Sequence, residues 1–215
     1  MVMTRYRHII WDWNGTLLDD AWLSVEIINA ILCRRGLPLL DRERYQHEFD
    51  FPVEDYYRRL GLDFTREPFE VLAAEFIGEY DRRWRECRLQ RGAREVVQAL
   101  AARGCAQSVL SAAEHVRLRT MVSAFPALRD AFAHLVGLDH YYATSKVASG
   151  LRLLRELPHR AAEVALIGDT THDFETARAM GIDCFLIPRG HHSREKLARC
   201  GAPVVDSVGA LLAAM

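Results

Sequence analysis

The fold is decided by a short stretch near the start of the chain, RHIIWDWNGT at residues 7–16. Residues 7–11 form a short run that favours a β-strand, and the turn-forming pair Asn14-Gly15 ends it. The pattern therefore predicts a first strand with Asp12 at its carboxyl end. In open parallel sheets, ligands bind outside the carboxyl ends of the strands, so Asp12 is a candidate functional residue.

From residue 92 onward, segments typical of a helix, a glycine stop and a strand repeat along the chain. The predicted strands lie at residues 105–110, 131–136, 163–167, 183–187 and 203–205. The predicted helices lie at residues 94–103, 114–125, 146–157, 173–180 and 210–214. Such alternation predicts an α/β fold, a doubly wound, Rossmann-like parallel sheet with helices on both faces.

Residues 19–90 carry a different pattern, with apolar residues at helical spacing and no predicted strand. The first helix contains Leu23, Ile27, Ile28, Ile31 and Leu32 and stops at Gly36; further helices are predicted at residues 41–49, 53–60 and 68–84. We therefore predict an inserted all-α cap at residues 18–90 and a core formed by residues 1–17 and 91–215.

Composition narrows the function classes. The 28 basic and 29 acidic residues leave a net charge of -1, which excludes the basic surface expected for binding nucleic acid or an anionic membrane and favours a small-molecule partner. The five cysteines form no CxxC pair, which argues against a disulfide framework and for the reducing cytoplasm. No apolar run approaches the ~18 residues of a membrane span. The sequence does not indicate an oligomeric state.

Polar residues follow several predicted strands. These positions are the segment from Asp12 to Thr16, Ser111, Lys146, and the segment from Gly168 to Asp173. Carboxylates such as Asp12 and Asp169 can hold Mg²⁺, which binds through one or two carboxylates, water and substrate phosphate. Ser111 and Lys146 would then face the remaining phosphate oxygens, since phosphoryl transfer depends on alignment and charge neutralisation.

In these motifs the chain resembles the haloacid-dehalogenase-like hydrolases, in their phosphoglycolate-phosphatase-like branch with a helical cap. The family's first motif, DxDx(T/V), is similar to Asp12 to Thr16, and its fourth, GDxxxD, matches Gly168 to Asp173. Its second, a Ser or Thr closing a strand, matches Ser111, and its third is a Lys, matched by Lys146. The resemblance covers nearly the whole chain and agrees with the predicted fold.

The resemblance implies a Mg²⁺-dependent phosphatase of small phosphorylated metabolites. Asp12 would attack phosphorus and form an aspartyl-phosphate, which water then hydrolyses. Mg²⁺ would be held by Asp12, Asp169 and the main-chain carbonyl of Asn14, with Asp173 orienting the metal shell. Ser111 and Lys146 would bind the substrate phosphate, and Lys146 would also take part in catalysis.

The chain departs from the family at two positions. Asn14 replaces the Asp that usually protonates the leaving group, and an amide cannot exchange a proton at neutral pH, where acid-base help is worth ~10²- to 10⁴-fold. Val147 stands where related sequences often carry Pro. A phosphoryl transferase or mutase, a phosphonate hydrolase, or a phospho-ligand-binding protein with impaired turnover are therefore alternatives.

Two of the site residues have competing interpretations. Ser111 fits an S-x-x-E capping box with Glu114, so it could be a helix N-cap as well as a phosphate ligand. His172 could be a proton donor that compensates for Asn14, since imidazole titrates near neutrality. A histidine at the start of a helix is more commonly on the surface, and we expect that position for His172.

Three further polar segments are interpreted without a catalytic role. His191 and His192 are adjacent, which disfavours binding of a single ion, so we expect an exposed loop. Asp19 and Asp20 are typical of the first turn of a helix and are predicted to begin the first cap helix. The Arg-rich residues 82–85 are predicted to form a solvated helix face, because acidic residues are as frequent nearby.

Overall fold

The computed structural model describes residues 5–139 and 145–215; residues 1–4, which belong to the predicted core range, lie outside it. The strands are β1 (His8–Trp11), β2 (Leu18–Asp19), β3 (Arg88–Leu89), β4 (Ala106–Glu114), β5 (His134–Leu138), β6 (Val164–Gly168) and β7 (Asp183–Leu186). The first helices are α1 (Ala21–Arg34), α2 (Arg42–Glu48), α3 (Val53–Arg59), α4 (Phe69–Arg83), α5 (Ala93–Ala102) and α6 (His115–Ser123). The remaining helices are α7 (Pro126–Arg129), α8 (Val147–Glu156), α9 (Thr171–Met180), α10 (Arg194–Ala198) and α11 (Leu211–Ala214).

The main sheet has five parallel strands in the order β5-β4-β1-β6-β7. Strand β1 is central and fully buried, with β4 on one side and β6 on the other. Its alternate side chains serve opposite faces: Ile9 and Trp11 belong to one hydrophobic cluster and Ile10 to the other. The predicted doubly wound α/β fold is confirmed.

Helices α1 to α4 follow β1 in the chain, at the four positions where the sequence predicts helices. The expectation that this segment contains no strand is wrong at its two ends, because Leu18 and Asp19 pair antiparallel with Leu89 and Arg88. Two residues are too short for any alternation to be visible in the sequence. The division into a core and a cap at residues 17/18 and 90/91 stays a prediction.

The expected last strand at residues 203–205 is also absent. Val204 forms only an isolated bridge with Leu186 at the edge of the sheet. Leu186 donates to the carbonyl of Pro203, and Val205 donates to the carbonyl of Leu186; Pro203 has no N–H with which to extend the ladder. Within the described residues, no helix combines the length and the apolar composition needed to cross a bilayer.

Candidate active site

Three carboxylates converge at the carboxyl edge of the sheet. Asp12 follows β1, Asp169 follows β6, and Asp173 lies in the first turn of α9. One oxygen of each lies within 4.8 Å of the others, and all three residues are buried. The two sequence motifs about 155 residues apart are therefore brought together by the parallel pairing of β1 with β6.

Lys146 bridges two of these carboxylates. Its Nζ lies 2.5 Å from Asp12 Oδ1 and 2.6 Å from Asp173 Oδ1, and it also donates to the carbonyl of Leu110 at 3.1 Å. Burial raises the pKa of Asp12 well above its usual value, against the lowering effect of Lys146. Burial alone would lower the pKa of Lys146, but Asp12 and Asp173 raise it. Lys146 is therefore a buried ammonium ion.

Asp169 is held rigidly in a narrow space. Thr16 Oγ1 donates to its Oδ1 at 2.7 Å, and the main-chain N–H of His191 donates to its Oδ2 at 2.7 Å. A Cβ on Gly15 or Gly190 would come within 2.3 or 2.1 Å of that Oδ2, so both positions require glycine, and Gly15 also has a φ of +77°. Burial raises the pKa of Asp169 to about 6.

Asp173 is fixed by the start of α9. Its Oδ2 accepts hydrogen bonds from the main-chain N–H groups of Asp169 at 3.2 Å and Thr170 at 2.9 Å, and from Thr170 Oγ1 at 2.6 Å. Burial tends to raise the pKa of Asp173, but the contact with Lys146 and these hydrogen bonds lower it below its usual value. This carboxylate stays ionised.

The site has the donor set that a hard divalent cation requires. Asp12, Asp169 and Asp173 are converging carboxylates, and Lys146 is the one ammonium ion that contacts them among the described residues. Burial raises the pKa values of Asp12 and Asp169, because an ionised carboxylate inside the protein loses its solvation by water. A bound cation would offset that loss by taking the carboxylate oxygens as ligands.

The side chain of Asn14 is engaged by neighbouring groups. Its Nδ2 donates to Asp20 Oδ2 at 2.7 Å and to the Tyr80 hydroxyl at 2.8 Å, while Ser111 Oγ lies 3.5 Å from its Oδ1. The amide therefore has hydrogen-bond partners on the helical insert as well as on β4. It holds these groups in place and carries no exchangeable acid.

Asp20 begins the first cap helix as predicted, but its carboxylate also forms part of the site. It is the N-cap residue of α1 but makes no side-chain capping bond. Its carboxylate instead accepts from the Gly15 N–H at 2.7 Å and the Tyr80 hydroxyl at 2.6 Å, and His191 Nε2 lies 3.5 Å away. Burial tends to raise the pKa of Asp20, but His191 and these donors lower it. Asp19, in turn, belongs to β2.

The expectation of an exposed loop at His191 and His192 is wrong. Their exposed fractions are 7% and 0%, because α2 covers the loop: the Tyr45 hydroxyl lies 2.8 Å from His191 Nδ1. Burial favours neutral His191, yet the carboxylates of Asp20 and Asp169 raise its pKa to about 9. His192 Nδ1 accepts from the Thr171 N–H at 3.1 Å, and burial lowers the pKa of His192 to about 3.

Ser111 is not a helix N-cap. It lies inside β4, which continues to Glu114 with an irregular register beyond Leu110. Glu114 is the N-cap of α6 and accepts from the main-chain N–H groups of Val116 and Arg117, each at 2.9 Å. Ser111 Oγ accepts from the Ala113 N–H at 3.1 Å and borders the same cavity as Asp12. Its role in binding phosphate stays a prediction.

His172 is buried, so the expectation of a surface position is wrong. Its exposed fraction is 6%, and its ring lies 4.9 Å from the ring of Phe51. Its Nε2 accepts from the main-chain N–H of Lys146 at 3.2 Å. Burial lowers the pKa of His172, and the charge of Lys146 lowers it further. It borders the cavity, and its role as a proton donor stays a prediction.

The carboxylate cluster opens into a cavity of about 180 Å³ between the sheet edge and the helical insert. Its floor contains Asp12, Asn14, Ser111, Lys146 and His172. Its opposite wall is built largely from aromatic side chains of the insert, including Tyr45, Phe49, Phe51, Tyr56, Tyr57, Phe69, Phe76 and Tyr80. The predicted site residues on the floor therefore border a partly open cavity.

The sequence interpretation missed four residues of this site, namely Asp20, Tyr45, Tyr80 and His191. A signal for His191 existed: it follows β7, whose carboxyl end lies at the same sheet edge as those of β1 and β6. Asp20 gave a weaker signal, as a second acidic residue soon after Asp12. The two tyrosines gave none, because their place depends on how the insert packs.

Comparison with known proteins identifies the family. The sequence profile of the haloacid dehalogenase-like hydrolases matches residues 9–187, which include every residue of the carboxylate cluster and Lys146. The chain belongs to this family. The assignment of the family's four motifs to Asp12, Ser111, Lys146 and Asp169 stays a prediction.

Curated relatives within the family carry different substrate names. The 5'-nucleotidase of Pseudomonas aeruginosa is 28% identical over 200 residues, which cover 90% of this chain and 87% of the relative. The N-acetylmuramic acid 6-phosphate phosphatase of Pseudomonas putida is 26% identical, with 94% and 92% covered. The phosphoglycolate phosphatase of Synechococcus elongatus is 26% identical, with 96% of each chain covered.

Solved structures of the family share the fold. A predicted phosphatase of Clostridium acetobutylicum superposes with a TM-score of 0.81 at 19% identity, with 96% of each chain covered. A predicted phosphoglycolate phosphatase of Haemophilus somnus gives a TM-score of 0.79 at 18% identity, with 99% of each chain covered. At this level of identity the likeness extends to the architecture of sheet and helical insert.

Proposed function

We propose that this haloacid dehalogenase-like hydrolase is a Mg²⁺-dependent phosphatase of small phosphorylated metabolites, acting through an aspartyl-phosphate on Asp12. The observation that carries the proposal is the position of the Asp12 carboxylate. It lies at the floor of a cavity, 2.5 Å from the Lys146 ammonium and within 4.8 Å of Asp169 and Asp173. A phosphoryl group bound there would meet a nucleophile, a cation and metal ligands together.

The chemistry of the residues follows from this arrangement. Lys146 Nζ and Ser111 Oγ bind phosphate oxygens and offset their charge. An oxygen of Asp12 then forms a bond to phosphorus as the bond from phosphorus to the ester oxygen breaks, and that oxygen leaves as an oxyanion that takes a proton from solvent water. Water attacks phosphorus in the second step, which releases phosphate and restores the carboxylate of Asp12.

Asp12, Asp169 and the main-chain carbonyl of Asn14 would hold Mg²⁺, with Asp173 orienting the metal shell. When bound, Mg²⁺ would supply charge neutralisation at the transferring phosphoryl group. Gly15 and Gly190 keep the space around Asp169 free of Cβ atoms, and Asp173 keeps Lys146 charged and in place. The close packing of these groups favours one position for the cation.

The site lacks an evident proton donor for the leaving group among the described residues. Asn14 cannot donate a proton, and Asp20, its hydrogen-bond partner, has a lowered pKa and is therefore ionised. Hydrolysis should consequently depend strongly on the leaving group. Nothing among the described residues favours a transferase, a mutase, a phosphonate hydrolase or a binding protein over a hydrolase.

The cellular setting that we propose is the cytoplasm, where small phosphate esters are abundant. The five cysteines are free thiols in the structure, which agrees with a reducing compartment. Charge balance along the chain favours a small phosphorylated partner over nucleic acid.

The test is phosphate release from a panel of phosphate monoesters with Mg²⁺ and with EDTA. We expect turnover with Mg²⁺, its loss in EDTA, and a loss of roughly 10³-fold or more in Asp12→Asn. Asp130→Asn, which removes an exposed carboxylate, is the matched control and should keep the wild-type rate. A folded Asp12→Asn protein that hydrolyses at the wild-type rate would refute the nucleophile, and full activity in EDTA would refute the metal.

A further inference from the structure

The wall of the cavity opposite the phosphate site is unusually apolar. Phe49 and Phe51 come from the segment after α2, Phe69 and Phe76 from α4, and Ile28 from α1. The rings contact one another, with Phe49 and Phe51 at 5.4 Å between centroids. A substrate that reaches the phosphate site must therefore place its organic part against aromatic and aliphatic side chains.

Two tyrosine hydroxyls of this wall are already engaged, and a third, that of Tyr56, is buried without a hydrogen-bond partner. The Tyr45 hydroxyl contacts His191, and the Tyr80 hydroxyl donates to Asp20. The hydroxyl groups of both tyrosines therefore form hydrogen bonds within the protein and are less available to a substrate. Sugar or nucleotide hydroxyl groups would be buried here with few partners, which is unfavourable.

A second negative charge on the substrate would also find little compensation. Apart from the phosphate site and the pair formed by His191 and Asp20, whose charges face each other at 3.5 Å, the charged residues that border the cavity in the described chain are Glu114 and Arg117. The Glu114 carboxylate caps α6, and Arg117 Nε lies 2.8 Å from Asp81 Oδ1. A carboxylate such as that of phosphoglycolate would have to compete with Asp81 for the guanidinium group.

The hydrogen-bonded Asn14 also favours an ester whose oxygen leaves easily. Because position 14 supplies no acid, the leaving oxygen must depart with little protonation. A phenol has a pKa of about 10, as the tyrosine side chain does, and is a far better leaving group than an alkyl alcohol. The apolar wall and the missing acid thus favour an aromatic alcohol.

We propose that the substrate of this enzyme is the phosphate monoester of a phenol, an uncharged single-ring leaving group seated against the aromatic wall. This proposal rests on the proposed phosphatase function and specifies its substrate class. The cavity, at about 180 Å³, is below the ~300 to 1,000 Å³ typical of sites for drug-sized ligands. One ring with its phosphate is the size class that it suits.

Binding and turnover are measured separately so that the two proposals fail separately. Calorimetry with Mg²⁺ present compares phenylphosphonate with phosphonoacetate, which lack the ester bond and report on the organic group alone. We expect phenylphosphonate to bind roughly 10-fold or more tightly, from burial of its ring. Equal or weaker binding than phosphonoacetate overturns the substrate class, whatever the enzyme hydrolyses.

Turnover is measured on phenyl phosphate, benzyl phosphate, 2-phosphoglycolate and glucose 6-phosphate. We expect the highest kcat/KM for phenyl phosphate. Benzyl phosphate should have a KM close to that of phenyl phosphate but a lower kcat, because its leaving group is a poorer one. A preference for 2-phosphoglycolate or glucose 6-phosphate overturns the inference while leaving the phosphatase intact. Absence of hydrolysis of every ester overturns the phosphatase proposal itself.

A pair of phenylalanine variants tests the wall directly. Phe76 borders the cavity, whereas Phe64, which packs against Phe69, does not. Phe76→Ala should weaken phenylphosphonate binding about 5- to 30-fold and change phosphonoacetate binding less than about 2-fold. Phe64→Ala should leave both affinities near wild type. Equal losses for both ligands in Phe76→Ala would assign Phe76 a structural role and refute its contact with the ring.

Discussion

Asn14 holds neighbouring groups in place by hydrogen bonds but cannot transfer a proton. Its amide nitrogen donates to Asp20 and Tyr80, so it joins β1 to two helices of the insert. A carboxylate at this position would face the Asp20 carboxylate at 2.7 Å. Like charges so close raise the pKa of one of them, and a carboxyl with a raised pKa is a better general acid near neutral pH.

We therefore expect Asn14→Asp to increase turnover on esters with poor leaving groups. The gain in kcat for benzyl phosphate should be roughly 10-fold or more, within the range of general acid catalysis, and clearly smaller for p-nitrophenyl phosphate, whose leaving group needs little protonation. Steady-state kinetics on both esters measures the ratio. An unchanged ratio would mean that proton transfer is not limiting or comes from elsewhere.

His172→Ala is the companion to that experiment. The pKa of His172 is lowered and its Nε2 accepts from the main-chain N–H of Lys146, so it is a poor proton donor at neutral pH. Its removal should reduce turnover on both esters by the same factor. A loss confined to benzyl phosphate, together with no gain in Asn14→Asp, would identify His172 as the acid.

Individual site residues could be predicted from the sequence when their position depends on the sheet. Asp12 and Asp169 lie at strand ends, and parallel strands bring those ends together. The position of His191 after β7 could have placed it near this edge, but the burial of His191 and Asp20 could not be predicted, because a histidine pair and an acid before a helix are ordinary surface features. Their burial results from contact between α2 and the loop after β7, which no local pattern encodes.

At the scale of elements, α2 is held over the sheet edge mainly by main-chain acceptors. Gln46 Nε2 donates to the Gly190 carbonyl at 2.7 Å, and Lys196 Nζ donates to the Phe49 carbonyl at 2.6 Å and to Asp50 Oδ2 at 3.0 Å. The position of this cavity wall therefore depends on polar contacts that α2 and the segment after it make with the chain from residue 189 to α10.

We expect Lys196→Met to loosen this contact and raise KM roughly 3- to 10-fold, as the loss of one partly buried, charge-assisted contact would. The kcat value should change less, since Lys196 lies outside the carboxylate cluster. Arg199→Met is the control, because Arg199 pairs with Glu195 on the exposed side of the same helix. A KM unchanged in both variants would show that the Lys196 contact does not control substrate access.

A second element-scale prediction concerns the pairing of β1 with β4. His8 lies buried in β1, with its Nε2 2.9 Å from Ser108 Oγ on β4. Burial lowers the pKa of His8 to about 4, and nearby His159 and His134 add to the effect. Below a pH of about 6.5 the unfolded chain binds a proton there that the folded chain does not. Stability therefore falls as the pH drops from about 6.5 toward 4.

Urea unfolding between pH 7 and 4.5 measures this effect. The wild type should lose up to about 3 kcal/mol more than His8→Gln over the range, since one unit of pKa shift is worth about 1.4 kcal/mol. His47→Gln, which removes an exposed histidine of α2, should keep the wild-type slope. Parallel curves for wild type and His8→Gln would contradict the buried, neutral state of His8.

Helices of the insert were predictable because their apolar residues repeat over several turns, as Ile27, Ile28 and Ile31 do in α1. Short or irregular strands were not. The continuation of β4 past Leu110 to Glu114 follows a register shift against β5, and a shift of register leaves no alternation to recognise. Pairing with a neighbouring strand, which is a tertiary property, decides where such a strand ends.

On the scale of the whole molecule, folding gathers three carboxylates around one lysine. The raised pKa values of Asp12 and Asp169 mean that ionising both at neutral pH destabilises the fold. A divalent cation that binds only the folded protein should reverse this. At 100 times its Kd, a ligand adds about 2.7 kcal/mol, which for a chain of this size corresponds to a rise in Tm of about 5 to 10 °C.

Thermal unfolding with and without MgCl₂ tests the expectation, independently of any substrate. Asp169→Asn removes one ligand and should lose most of the Mg²⁺-dependent rise in Tm. Asp183→Asn is the control and should keep this rise, because Asp183 is the first residue of β7 and lies at the opposite end of the strand from the site. If Mg²⁺ does not change the Tm of the wild type, the proposed metal site is refuted.

The doubly wound architecture followed from the alternation of helices and strands, but the strand order did not. Placing β1 between β4 and β6 puts Asp12 beside Ser111 and Asp169, and this neighbourhood gives the site its function. Local propensities carry no information on which strands become neighbours, since that is settled by packing of the helices on the two faces.

The small ribbon of β2 and β3 makes the helical segment exchangeable. Leu18 pairs with Leu89, and the Gln90 N–H donates to the Leu17 carbonyl at 2.9 Å, so the chain leaves the sheet and returns to it at adjacent points. Insertions or deletions between those points change the length of an excursion whose two ends stay fixed. A change in chain length between residues 19 and 88 can therefore leave the register of the central strand undisturbed.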